Sequence, residues 1–63
     1  MKLSKVKLAV ATANKGWSFK ELAEHAGVSK STVSLILSGK SCRIETAIKL
    51  AKALEIKIEE IVE

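Results

Sequence analysis

Proline is absent from this 63-residue sequence, cysteine and histidine occur once each, and Trp17 and Phe19 are the only aromatic side chains. One cysteine excludes an intramolecular disulfide. Cys42 and His25, 17 positions apart, form no pair at metal-ligand spacing, so no structural metal is expected. One His and one Cys also cannot supply an acid/base pair or a nucleophile with its base, so the sequence points to no enzyme, no cofactor and no small-molecule substrate. Apolar residues come singly and in pairs, without the long continuous run that a membrane span requires. The stretch Val6 to Ala13 is broken by Lys7 and followed by Asn14-Lys15-Gly16 instead of a small-residue cleavage signal, so the chain reads as mature cytosolic sequence. Sustained period-two alternation is missing as well, which predicts no strand.

What is present is an apolar content of 48%, too high for a disordered chain, in a length that allows one small domain over residues 1–63. A domain this short buries only about 60% of its unfolded surface. Without a disulfide or a metal, its stability has to come from close local packing or from self-association. Charge is distributed unevenly. Residues 1 to 54 carry ten cations against Glu21, Glu24 and Glu45, a net +7, whereas residues 55 to 63 carry Lys57 against Glu55, Glu59, Glu60 and Glu63, a net −3. The overall +4 suits a polyanionic partner, with the acidic tail turned away from it. Lys2, Lys5 and Lys7 read as a solvated face, with a polyanion-binding arm as the alternative.

Helical spacing recurs throughout and predicts a compact all-α bundle of five short helices. The first, about Lys2 to Asn14, sets Leu3, Val6, Val10 and Ala13 at helical spacing and stops at Gly16. Ser18-Phe19-Lys20-Glu21 fits a capping box, in which the Ser18 hydroxyl accepts from the Glu21 N–H and the Glu21 carboxylate reaches back; Trp17 and Leu22 form its hydrophobic staple. The helix it opens runs to about His25, whose imidazole suits the negative end of the helix dipole, and turns at Gly27. Ser29 caps a third helix, Lys30 to Leu37, closed by Gly39. A loop follows that contains Cys42, read as an incidental thiol. Ile44 to Leu54 then carries an apolar stripe of Ile44, Ala47, Ile48, Ala51 and Leu54, widened by Leu50. Lys57 to Val62 reads as a short fifth helix with Glu59 and Glu60 in its first turn.

Two short helices joined by a tight glycine turn are the physical content of a helix-turn-helix. Leu22, Ala26, Val28, Val33 and Ile36 fall where two such helices bury side chains against each other, Ala23 is the small residue at their crossing, and Gly27 is the turn. The run Phe19-Lys20-Glu21-Leu22-Ala23-Glu24-His25-Ala26-Gly27-Val28-Ser29-Lys30-Ser31-Thr32-Val33-Ser34 resembles the helix-turn-helix of phage repressor and Cro proteins and their bacterial relatives, the XRE family. Gly39-Lys40 resembles the family's G-K/R after the recognition helix. Ile44 to Leu54 resembles its L-x-T-x-x-K-L-A-K-A-L fourth helix, and Ile56-Lys57-Ile58-Glu59-Glu60-Ile61 is similar to its closing V-S-L-D-E-L. There are departures. Phe19 stands where the family usually has Gln, and Thr12 and Leu37 stand at the positions of a frequent Arg–Glu pair, whose joint removal strands no charge. The loop has Cys42 in place of a proline, and Arg43 replaces the usual capping Ser or Thr.

The resemblance implies a lambda-repressor-like DNA-binding domain with its helix-turn-helix at helices two and three. It also implies a sequence-specific transcriptional regulator, a repressor of the Cro/CI type, whose partner is double-stranded DNA. The helix from Lys30 then lies in the major groove with Val33 and Ile36 inward, leaving Lys30, Ser31, Ser34 and Leu35 to read bases. Ser18, Phe19 and Lys20 at the start of helix two, Ser29 before helix three, and Lys40, Ser41 and Arg43 in the loop are the candidate phosphate contacts. One copy reads too few bases for useful specificity. A weak dimer, formed mainly on a pseudo-palindromic operator through Leu54, Ile56, Ile58 and Val62, is therefore expected. The alternative is a protein-interaction module, such as an antitoxin or a fragment of a longer repressor, using the same apolar C-terminal surface.

Overall fold

Serine hydroxyls open three of the four helices of the chain. In the computed structural model, which describes all 63 residues, Ser4, Ser18 and Ser29 are the N-caps of α1 (Lys5–Asn14), α2 (Phe19–Ala26) and α3 (Lys30–Leu37). Their hydroxyls accept the N–H groups of Lys7, Glu21 and Thr32 at 3.2, 3.2 and 3.1 Å, satisfying donors that the helix itself cannot. Arg43 precedes α4 (Ile44–Leu54) and makes no side-chain cap.

All four helices end on the same crossed pair of backbone bonds. At the end of α2, Val28 N–H donates to Ala23 O (3.1 Å) and Gly27 N–H to Glu24 O (3.3 Å); the corresponding bonds end α1 at Gly16, α3 at Gly39 and α4 at Glu55. This arrangement requires a left-handed residue at the turn. Gly27 adopts it at φ 72° without steric cost, whereas Glu55 does so at φ 58° despite its side chain. The Glu55 carboxylate pairs there with Lys15 at the end of α1, tying two helix ends together.

The core is built from Leu8, Leu22, Ala23, Val33, Ile36, Ala47, Leu50, Ala51 and Leu54 of the helices, joined by Leu3 and Ile61 from outside them. Ala23, Ala47 and Ala51 are all buried, and α4 packs mainly against α2. Small residues on both elements let the helix axes approach closely. The expected apolar faces are rotated in two helices. In α1 the buried residues are Leu8 and Thr12, while Val6 (71% exposed), Val10 (54%) and Ala13 point outward. Thr12 is accommodated because its hydroxyl donates to Leu8 O at 2.7 Å. In α4, Leu50 lies in the centre of the buried face, and Ile44 and Ile48 stay exposed.

The first helix begins at Lys5, not Lys2, because Met1 to Ser4 is extended and hydrogen-bonded along both edges. Met1 N donates to Cys42 O (2.9 Å) and Cys42 N–H to Met1 O (2.8 Å) on one side. On the other, Ser4 N–H donates to Ile61 O (2.7 Å) and Glu63 N–H to Lys2 O (3.1 Å), around an antiparallel bridge between Leu3 and Val62. That pairing also explains why the fifth helix does not form. Ile58–Glu60 makes a single 3-10 turn, opened by Lys57 N–H on the Glu60 carboxylate (2.9 Å), and the chain then straightens to bond the N-terminal segment. Helix two is longer than expected by one residue, ending at Ala26, and no helix is long and apolar enough to cross a membrane.

These burials separate apolar positions that spacing alone treats alike. Leu22→Ala, at a fully buried position, is expected to cost about 2–5 kcal/mol. Val6→Ala and Val10→Ala should stay within about 0.5 kcal/mol of the parent. Urea unfolding followed by circular dichroism measures all three, and a Val10→Ala loss as large as that of Leu22→Ala contradicts the assigned α1 face.

Candidate nucleic-acid interface

Val33 and Ile36 anchor α3 with only 2% of each exposed, which turns the opposite side of this two-turn helix to solvent. Lys30, Ser31, Ser34 and Leu35 are all exposed there and together line one shallow hollow. Leu35 remains 54% exposed although it is apolar. A second hollow, between α3 and the loop after it, brings Ser41 and Arg43 beside Leu35 and Thr32. The loop is held in place at both ends. Lys40 N–H and the Ser38 hydroxyl donate to Leu35 O at 3.0 and 2.8 Å, and Cys42 is paired with Met1.

The two helix starts differ in what they leave free. Ser18 is fully engaged, since its hydroxyl caps Glu21 and its N–H donates to the Glu21 carboxylate at 2.9 Å. Ser18 N–H is therefore not free for a phosphate. Phe19 and Lys20 N–H have no acceptor in the chain and point out of the positive end of α2. The Phe19 side chain packs against the core. At α3, the Ser29 hydroxyl is shared by Thr32 N–H and the Thr32 hydroxyl (2.7 Å), leaving Lys30 and Ser31 N–H open. Lys20, Lys40 and Arg43 are exposed cations around these groups.

Other residues singled out by the sequence fall away from this face or into packing roles. Trp17 is half-buried and stacks on His25, with ring centroids 4.1 Å apart and planes within 6°, and Lys15 Nζ lies 5.6 Å from the Trp17 ring. Cys42 is half-buried, and burial pushes its thiol above the usual range, partly offset by the nearby amino terminus. Leu54 belongs to the core at 3% exposure, so only its edge reaches the surface and it is not the open contact residue expected; Ile56, Ile58 and Val62 are half-buried against that core. Besides Leu35, open apolar side chains lie on α1, at Val6 and Val10, and on α4, at Ile44 and Ile48. Val6 and Val10, with Ala11, Ile56 and the edge of Leu54, line a groove of about 550 Å³ between α1 and the chain after α4. Neither this groove nor the place of Thr32 and Thr46 beside Arg43 has a local sequence signal, because each depends on how separate elements dock.

A family model described as the Cro/C1-type helix-turn-helix DNA-binding domain matches residues 7–63. The chain belongs to this family. The match takes in the α2–turn–α3 unit, α4 and the closing 3-10 turn, so the Cro/C1-type assignment rests on the whole arrangement and not on the central motif alone. No characterised protein and no solved structure shows a significant match to the chain. As a Cro/C1-type domain, it is a helix-turn-helix DNA-binding module.

Two carboxylates near the helix ends are held below their ordinary range. The Glu21 carboxyl is held below the usual 4.5 because it accepts the Ser18 N–H, and that of Glu55 because Lys15 hydrogen-bonds and pairs with it. Both groups are lower in the folded than in the unfolded chain. Their contribution is therefore complete above pH 4.5 and is lost as pH falls through the lowered folded values. Thermal melts from pH 7 to pH 2 should show a falling midpoint below that point, with a shallower fall in the double variant Glu21→Gln, Glu55→Gln. An equally steep fall in the double variant contradicts the assignment.

Proposed function

We propose that the chain is a sequence-specific transcriptional repressor that binds a pseudo-palindromic operator as a dimer, with α3 in the major groove. The observation that carries this reading is the grouping of Lys30, Ser31, Ser34 and Leu35 on the one exposed face of α3, between free helix-start N–H groups and the cationic loop. Lys30 donates to guanine O6 and N7, Ser31 and Ser34 bond base edges, and Leu35 supplies apolar contact. Phe19 and Lys20 N–H receive one phosphate at the start of α2, and the start of α3 after Ser29 offers a second site. Lys20, Lys40, Ser41 and Arg43 hold the flanking backbone. Occupancy of the operator in the cytoplasm, on nucleoid DNA, excludes polymerase. The reading assigns no catalytic step.

The dimer partner is a second copy seated on the Val6–Val10 groove, with half-buried Ile56 at its edge and Ile58 and Val62 beyond it. Lys15 and Glu55 pair with each other across the groove, which leaves Lys7 on its α1 side and Glu60 on the other. A two-fold axis along it sets Lys7 of one copy against Glu60 of the other. Recognition helices about 34 Å apart then meet successive turns of the duplex.

Fluorescence anisotropy with a duplex selected from random sequence tests the reading. Binding should weaken with salt, and Lys40→Ala and Arg43→Ala should each lower the log–log slope by about 0.9 while weakening all duplexes alike. Lys30→Ala should cost about 1–3 kcal/mol and relax the choice of base at one position. Salt-insensitive or absent DNA binding, with binding to a protein partner retained, overturns the reading in favour of an interaction module.

The dimer surface is tested separately. Val10→Asp should abolish cooperative binding to a two-half-site duplex and leave single half-site affinity unchanged. Tight, non-cooperative binding of the parent to a single half-site contradicts the dimer.

A further inference from the structure

Leu35 is the only apolar member of the recognition-face hollow, whose other walls are Lys30, Ser31 and Ser34. Its position is fixed. The Leu35 carbonyl accepts from Lys40 N–H at 3.0 Å, from Ser38 N–H at 3.2 Å and from the Ser38 hydroxyl at 2.8 Å, so the last turn of α3 is closed down onto this residue. The side chain nevertheless stays more than half exposed and carries no donor or acceptor. The major-groove edge of a base pair presents hydrogen-bonding groups except at pyrimidine C5, which carries a hydrogen in cytosine and a methyl group in thymine. A leucine pressed against an amino group, N7 or O6 strips water from that atom and returns no hydrogen bond. Against a C5-methyl it removes two apolar surfaces from water at once.

We infer that Leu35 selects a C5-methylated pyrimidine at the base step it meets: thymine, and equally 5-methylcytosine, in preference to cytosine. The inference rests on the DNA-binding reading above and adds a modification-sensitive step to it. Cytosine and 5-methylcytosine differ at that step only by the group Leu35 contacts, so methylation of the operator raises affinity there. Lys30, Ser31 and Ser34 are indifferent to the methyl and read neighbouring positions.

The test uses the full chain and a duplex recovered by selection from random sequence, with each thymine replaced in turn by deoxyuridine, which removes only the methyl. One thymine per half-site should lose about fourfold in affinity, the worth of one buried methyl. Placing a cytosine–guanine pair there should weaken binding, and 5-methylcytosine should recover about the same factor over cytosine. Leu35→Ala, at an exposed helical position, should bind the thymine and deoxyuridine duplexes equally while keeping the salt slope of the parent. Sequence-specific, salt-sensitive binding with no thymine whose methyl matters overturns this inference alone, as does a methyl effect that persists in Leu35→Ala. Loss of salt-sensitive binding to every duplex overturns the DNA-binding reading and this inference with it.

Discussion

The extended segment Met1 to Ser4 is the cross-link on which the rest of this small domain depends. Its residues face alternately left and right, as in any strand, so Met1 bonds Cys42 on one edge while Lys2 and Ser4 bond Glu63 and Ile61 on the other. Three parts of the chain that are remote in sequence are thereby joined: the start of α1, the loop after the recognition helix, and the C-terminal turn. Leu3 is buried beneath the pairing and Ile61 beside it. A disulfide would constrain the unfolded chain as well; this backbone pairing acts only in the folded state, which suits a sequence with a single cysteine.

Around that cross-link the helices are short, and short helices are marginal on their own. Their ends compensate. Three serine caps, a reciprocal Ser18–Glu21 box and four identical C-terminal turns satisfy the backbone groups that an eight-to-eleven-residue helix leaves open. Every start still keeps free N–H groups in its first turn, and those of Phe19 and Lys20 and of Lys30 and Ser31 belong to the helix-turn-helix unit. The same local rules that stabilise the fold thus also leave its anion-receptive points.

Much of this is legible in the sequence because it is local. Ser18 and Glu21 stand at capping-box spacing, Gly27 marks the turn, and the limits Lys30–Leu37 and Ile44–Leu54 follow from caps and periodicity. The four residues of the recognition face follow from the inward direction of Val33 and Ile36. What spacing could not supply is which of two apolar faces docks. In α1, Leu3-Val6-Val10 and Leu8-Thr12 both fit a helix, and the choice is made by Leu3 leaving the helix to join the backbone cross-link. The fifth helix gave way to the same pairing. Glu55 in a left-handed turn has no signal, because its conformation is maintained by the fold and by Lys15 from another helix. Leu54 was misplaced on the surface for a related reason: it lies at the end of α4, where docking of the following chain covers it.

The two proposed surfaces lie on different elements. The face of α3 and the loop are polar, cationic and backed by the core, while the Val6–Val10 groove is apolar with rims of opposite charge. The most direct test of this division is an NMR titration of the ¹⁵N-labelled chain with a single half-site duplex. Amide shifts concentrated at Phe19, Lys20, Lys30 to Leu35 and Lys40 to Arg43, with Val6, Val10 and Ile56 unmoved, are the predicted result. Shifts concentrated along the α1 groove, with the α3 amides unmoved, would contradict it.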